Sequence, residues 1–274
     1  MISCNIVGGL GNQLFQIFTS MAYAYRNNNN YVFLKNKEND DNRGTYWSTI
    51  FDKLKIVDKL PELSVYNESC FNYSPLNSAK DIKLNGWFQS YKYFENEYKY
   101  LFNLCKFGEK RLICLNRYNY PYSNCISIHF RIGDYTKKAH NSFHGICKND
   151  YYVKAIETIV NSTNEKFDIL CFSEKEDEID VNNRIEYIKK SFPTFNFIKV
   201  SYDISDWEQL LIMSLCKHNI IANSTFSWWS AYMNDNVNKI IIYPLPWFSE
   251  AANINTSDLF PNKWISITNS CEYS

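Results

Sequence analysis

Three short segments bring together residue types suited to holding a phosphorylated, hydroxyl-rich ligand. The first is Gly8-Gly9-Leu10-Gly11-Asn12-Gln13, between an apolar run at 2–7 and a helix-periodic stretch. Glycines at such a junction let backbone N–H groups approach a ligand closely, and the helix start that follows favours an anion. Asn12 and Gln13 add two amides, which suit hydroxyls; the bare alternative is a tight turn capped by Asn12. A nicotinamide-cofactor fingerprint is excluded, because Leu14 takes the third glycine position and the second strand ends at Lys35 rather than an acid.

The second segment is His129-Phe130-Arg131-Ile132-Gly133-Asp134-Tyr135. Arg131 leaves a strand where a guanidinium can fork onto a phosphate, and strand alternation puts His129 on its side. Asp134 either holds that arginine or acts as a base. The third segment is Asn223-Ser224-Thr225-Phe226-Ser227-Trp228-Trp229-Ser230, whose hydroxyls and amide fall where a helix leaves its first N–H groups unpaired. It reads as a neutral phosphate cup, or else as a Ser/Thr cap over a buried tryptophan pair. His144 follows the second segment closely enough to be kept as a candidate. His218 reads as the end of a helix, where an imidazolium complements the dipole. No D-x-D triplet, phosphate-loop or nucleophile-elbow pattern occurs, and the acids from Glu174 to Asp180 read as a solvated helix start.

The elements that must position these segments alternate. Residues 2–7, 12–26 and 31–35 read as strand, helix and strand, the opening of a βαβ unit. The stretch 36–80 carries no clear pattern; 82–90 reads as a strand and 91–104 as a helix. Beyond Pro121 the strands are 125–130, 167–173, 195–200, 219–222 and 239–243. Helices lie between them at 150–161, 176–191, 206–217 and 225–234. Such alternation predicts the α/β class with parallel sheets, as an N-terminal domain over 1–120 and a C-terminal one over 121–274. Ligands of parallel sheets bind beyond the carboxyl ends of strands, and all three segments lie there.

Composition narrows the function classes. The chain has 274 residues, 45% of them hydrophobic, which is ample for packed cores. Lys plus Arg and Asp plus Glu are both 29, so the formal charge is zero and neither nucleic acid nor an anionic membrane is an expected partner. No apolar run nears the ~20 residues that span a bilayer. The N-terminus lacks the basic region of a signal peptide, and the expected location is cytoplasmic. The nine cysteines show no C-x-x-C pair, and Cys125, Cys171 and Cys216 read as core residues.

Together the segments resemble the α-1,2-fucosyltransferase family, the GDP-fucose-dependent glycosyltransferase family 11. The residues carrying the resemblance are GGLGNQLFQ at 8–16, HFRIGDY at 129–135 and CKHNIIANSTFSWWSAY at 216–232, with GWFQSYKYF at 86–94 and DYYVKAI at 150–156. The resemblance implies a GT-B-type enzyme of two facing Rossmann-like domains. Its donor would be GDP-fucose, bound mainly by the C-terminal domain, and its acceptor an oligosaccharide. Fucose would pass with inversion and no obligatory metal or other cofactor. By the same resemblance Gly9, Gly11, His129, Arg131, Asn223, Ser224, Thr225, Phe226 and Ser227 contact the donor. Glu208 stands in for an acid expected at Gln209. Arg131, Asp134, Asn12 and His144 are the catalytic candidates, with Asp134 and His144 as alternative bases. The family usually carries a second arginine where this chain has Ile132; some protein O-fucosyltransferases resemble this chain in keeping a single arginine there, with isoleucine next.

Overall fold

The computed structural model describes residues 1–35, 44–133 and 143–269. Asp134 therefore lies outside the described residues. The chain packs as two units, Met1–Ile113 with Asn255–Pro261, and Cys114–Ile254 with Asn262–Ser274. The change of unit falls inside a helix, earlier than the expected 120/121 boundary, and 255–261 return to the first unit.

In the first unit β1 (Ile2–Cys4) leads through Gly8 and Gly9 into α1 (Leu10–Arg26). Then come β2 (Phe33–Leu34), β3 (Ile56–Val57), β4 (Ser64–Asn67), β5 (Ile82–Asn85), α2 (Tyr98–Leu104) and the start of α3 (Phe107–Arg117). Strands β1, β5 and β4 form a parallel sheet in that order; β2 and β3 form a parallel pair. Helix α1 is buried almost throughout. Phe15 and Phe18 meet Phe94, and Phe18 also stacks on Phe107. The aromatic stretch 91–104 thus covers α1, and it does so as a 3₁₀ turn plus α2, not one helix.

The second unit follows the predicted alternation to within a few residues. Its elements are β6 (Cys125–His129), α4 (Asn149–Thr163), β7 (Asp168–Phe172), α5 (Glu178–Ser191), β8 (Asn196–Lys199) and α6 (Asp206–Leu215). After them come β9 (His218–Ile220), α7 (Thr225–Met233), β10 (Ile241–Leu245) and β11 (Ile265–Thr268). All six strands are parallel, in the order β11-β10-β9-β6-β7-β8. The chain therefore starts in the middle, winds outward through β7 and β8, and returns to wind the other way from β9. The reversal lies between β6 and β9. Burial drives this: Ile126, Ile128, Ile169 and Ile220 share one core with Tyr151, Tyr152 and Ile156 of α4.

His218 corrects the expectation made for it. It opens β9 instead of ending a helix, and it is fully buried. Its Nδ1 accepts the Ile240 N–H at 2.9 Å, and burial lowers its pKa to about 4. An imidazolium at a helix end does not occur; the ring is neutral.

Candidate functional site

Open parallel sheets bind ligands where the strand order reverses, because the loops leaving the two central strands part there. In the second unit that point is flanked by His129 at the end of β6 and Ile220 at the end of β9. The second and third sequence segments leave these two strands. Though about ninety residues apart in sequence, they meet: the rings of His129 and Phe226 have centroids 5.5 Å apart.

His129 is buried, and its Nδ1 has no hydrogen-bond partner. Burial, helped by the charge of Arg131, pushes its pKa down to about 3. The imidazole is thus neutral, and a buried ring nitrogen without a partner suits a ligand hydroxyl or amide. Arg131 lies two residues further on, with its side chain 17% exposed, and forms an ion pair with Glu174. The Gly133 N–H is held by both carboxylate oxygens of Asp177, at 2.9 and 3.1 Å. Asp177 is buried, so the acids after β7 are not simply a solvated helix start. Glu174 and Asp177 clamp the arginine segment. Their contact follows from strand register, and no pattern along the chain announces it.

The hydroxyl cup is smaller than expected. Asn223 is buried, with Nδ2 donating to the Gly145 and Trp247 carbonyls at 2.7 and 3.2 Å. Ser227 is buried too and turns its hydroxyl back onto the Ala222 and Ser224 carbonyls. Both hold the loop, because its carbonyls must be satisfied inside the unit. Ser224, Thr225 and Phe226 are the half-buried residues at the start of α7. The tryptophan pair is core, as the capping alternative held: Trp228 stacks on Tyr232 and meets Trp264. The tie from Asn223 to Gly145 brings His144 beside this loop, with its ring against Phe143 and Phe248.

Glu208 sits differently from the donor contact expected of it. It is buried; Oε1 accepts from Arg117 at 2.6 Å and Tyr118 at 3.1 Å, and Oε2 from the Ser205 hydroxyl at 2.6 Å. Ser205 is the N-cap of α6, so Ser205-x-x-Glu208 has capping-box spacing, a signal present in the sequence. Ile132 is only 4% exposed and belongs to the core around α4. The position of the missing second arginine is a core position here.

In the first unit α1 begins at Leu10, so Gly9 is the N-cap and Asn12 lies in the first turn. Gly8 has φ +76, and a Cβ there would lie 2.3 Å from Asn12 Nδ2. Only glycine fits. Asn12 Oδ1 accepts from Gln89 Nε2 at 3.0 Å. Gln13 donates to the carbonyls of Gly8 and Gly44, while its buried Oε1 has no partner. Gly11 is buried inside α1, whereas a Cβ on Gly9 would meet open space, leaving Gly9 as the approachable glycine. Among the described residues no group of three His, Cys, Asp or Glu is assembled as a metal site. Likewise, no described helix is long and apolar enough to cross a membrane.

A sheet wound both ways about one switch point, with a neutral histidine, an arginine and two half-buried hydroxyl residues at that point, defines the doubly wound α/β class. Residues 108–268, more than half of the chain, match Glycosyl transferase family 11, and the chain belongs to that family. The O-antigen biosynthesis glycosyltransferase WbnK of Escherichia coli is 36% identical over 170 residues, which are 61% of this chain and 51% of WbnK. The chain thus matches about half the length of that relative. An Alpha-1,2-colitosyltransferase of Escherichia coli is 27% identical over 297 residues, covering 97% of this chain and 99% of the relative. Among solved structures, the fucosyltransferase NodZ from Bradyrhizobium aligns with a TM-score of 0.47 and 11% identity, over 84% of this chain and 90% of that one.

Proposed function

We propose that the protein is an inverting, metal-independent fucosyltransferase that uses GDP-β-L-fucose. Its acceptor is a glycan hydroxyl, in the first instance the 2-OH of a galactose. The observation that carries this reading is the convergence of His129, Arg131, Ser224, Thr225 and Phe226 at the strand-order reversal of the second unit. Family membership supports sugar transfer, and the motif resemblance is the ground for choosing fucose and GDP.

In this reading Arg131 receives the charge that develops on the diphosphate as the anomeric C–O bond breaks. Ser224 and Thr225 add neutral donors at the start of α7. His129, held neutral, orients the donor and does not take up a proton near pH 7. The acceptor oxygen bonds to the anomeric carbon from the opposite face, giving the α-linkage, and its proton passes to a base. His144 is the described candidate, Asp134 the other. Asn12 orients the acceptor. The missing D-x-D motivates metal independence.

The test is fucose transfer from GDP-fucose to galactosides in EDTA, with linkage analysis of the product. An α-1,2 product in EDTA is expected; activity lost in EDTA and restored by manganese or magnesium sinks the metal-free reading. A second reading has one observation in its favour, the end-to-end match to a relative named as a colitosyltransferase. Competition between GDP-fucose and GDP-colitose as donors decides between the two sugars. Binding of GDP-fucose with neither transfer to an acceptor nor hydrolysis would leave a binding protein.

A further inference from the structure

The three strands of the first unit's sheet end in asparagines. Asn5 follows β1, Asn85 closes β5 and Asn67 closes β4. Their amides form a chain: Asn5 Nδ2 donates to Asn85 Oδ1 at 2.7 Å, and Asn85 Nδ2 donates to Asn67 Oδ1 at 2.7 Å. Each bond orients and polarises the next amide. The chain ends on the exposed Asn67 with its Nδ2 as the terminal donor.

Directly beside it the backbone makes an unusual turn. The carboxylate of Glu68, next after Asn67, accepts the Trp87 N–H at 2.7 Å and the Phe88 N–H at 3.0 Å. A Cβ on Gly86 would lie 2.4 Å from Glu68 Cβ, so glycine alone permits this approach. Phe88 has φ +50, a conformation bulky residues keep only where their surroundings over-determine it. Here they do: its ring is fully buried against Tyr66 and Tyr93. Gln16 holds the Gly86 carbonyl, and Gln89 ties the far side of the turn to Asn12. Phe88 is turned in, so Trp87 is turned out, 41% exposed.

We infer that this edge of the first unit is a sugar subsite for the acceptor, with Trp87 as the stacking face and Asn67 as the hydroxyl-binding amide. The inference rests on the proposed glycan acceptor and adds the residues that select it. A pyranose has one face rich in C–H groups, which lies against an aromatic π-surface, and equatorial hydroxyls at its rim. A rigidly displayed indole next to a pre-oriented amide donor matches both features. The Glu68 carboxylate beside them disfavours an anionic ligand. The link through Gln89 to Asn12 joins this edge to the glycine segment.

The probes are methyl β-D-galactopyranoside and lactose. Trp87→Ala is expected to raise the acceptor KM at least about tenfold, about 1.4 kcal/mol of binding. Its affinity for GDP should equal that of wild type. Trp87→Phe should recover most of the loss, and Asn67→Ala should raise KM severalfold. Wild-type tryptophan fluorescence should change on galactoside titration, and Trp87→Phe should lose that signal. If Trp87→Ala fails to fold, Trp87→Phe and the fluorescence titration decide. An unchanged KM, or a loss shared equally by GDP binding, overturns the subsite. So does wild type that binds GDP but neither galactoside, which leaves the donor reading standing. Absence of GDP binding strikes instead at the proposed function.

Discussion

Arg131 and Glu174 occupy equivalent places on neighbouring strands, and this makes them a pair. His129 and Phe172 are register partners at the ends of β6 and β7. Two residues beyond each come Arg131 and Glu174, which form an ion pair. Because the strands are parallel, both side chains leave the same edge of the sheet, beside the strand-order reversal. Glu174 is 44% exposed while Arg131 is largely covered, so the acid is the member that water or a ligand reaches first. A diphosphate approaching Arg131 meets a guanidinium already held in place, and also a carboxylate it must tolerate.

These two effects of Glu174 separate on substitution. Glu174→Gln removes the repulsion and loosens the guanidinium. GDP should therefore bind more tightly, by no more than about fivefold, since half-exposed ion pairs contribute about 0.2–1 kcal/mol. The kcat for transfer should fall. Titration calorimetry with GDP and steady-state kinetics read the two quantities. A weaker Kd together with an unchanged kcat contradicts the assignment. Salt should weaken GDP binding more in the variant if charge repulsion is the cause, because only the attraction to Arg131 is then left to screen.

Arg131→Ala should cost about 10²–10³ in kcat, the usual effect of removing a group aimed at developing charge. Its fold should survive, because Arg131 lies past the strand and the Glu174 it abandons is exposed enough to be solvated. No neighbour compensates, as Ile132 points into the core. Arg131→Lys should recover part of the rate, since a point charge cannot fork onto two oxygens. Retention of more than about a tenth of kcat/KM by folded Arg131→Ala, a loss under roughly 1.4 kcal/mol, removes Arg131 from this role.

The second unit was legible because buried parallel strands are apolar runs separated by helix-periodic segments, and β6 to β10 appear where those runs fall. Strands β3, β4 and β11 were not, since they are short and half or largely exposed, without an apolar run to mark them. The site was legible as segments but not as contacts. Ile128, Phe130 and Ile132 share one core with period two, and that alternation alone marks Ile132 as a core residue. The clamp by Glu174 and Asp177 depends on how β6 and β7 align, which chain spacing does not carry. Asn223 and Ser227 are polar types that the fold uses inside, to satisfy loop carbonyls, a use that residue type alone does not reveal.

The two buried histidines set the pH dependence of stability. Folded pKa values near 3 for His129 and near 4 for His218 lie below the ordinary value of 6.5. Between those limits the unfolded chain binds protons that the folded chain refuses. Their full contribution is therefore present above about pH 6.5 and is lost as pH falls toward 4. Each histidine costs up to about 1.4 kcal/mol per pH unit across that window. Carboxylates with lowered pKa values, Asp52 and Asp258, act in the same direction but only as pH falls through their ordinary value of 3.8 and below. The melting temperature should thus be flat from pH 8 to 7 and fall clearly from 6.5 to 5. His218→Asn keeps an acceptor for the Ile240 N–H while removing one titrating group, and His218 lies away from the proposed donor site. It should lower the pH slope by about half between 6 and 5. A variant with the wild-type slope would show that His218 does not carry this dependence.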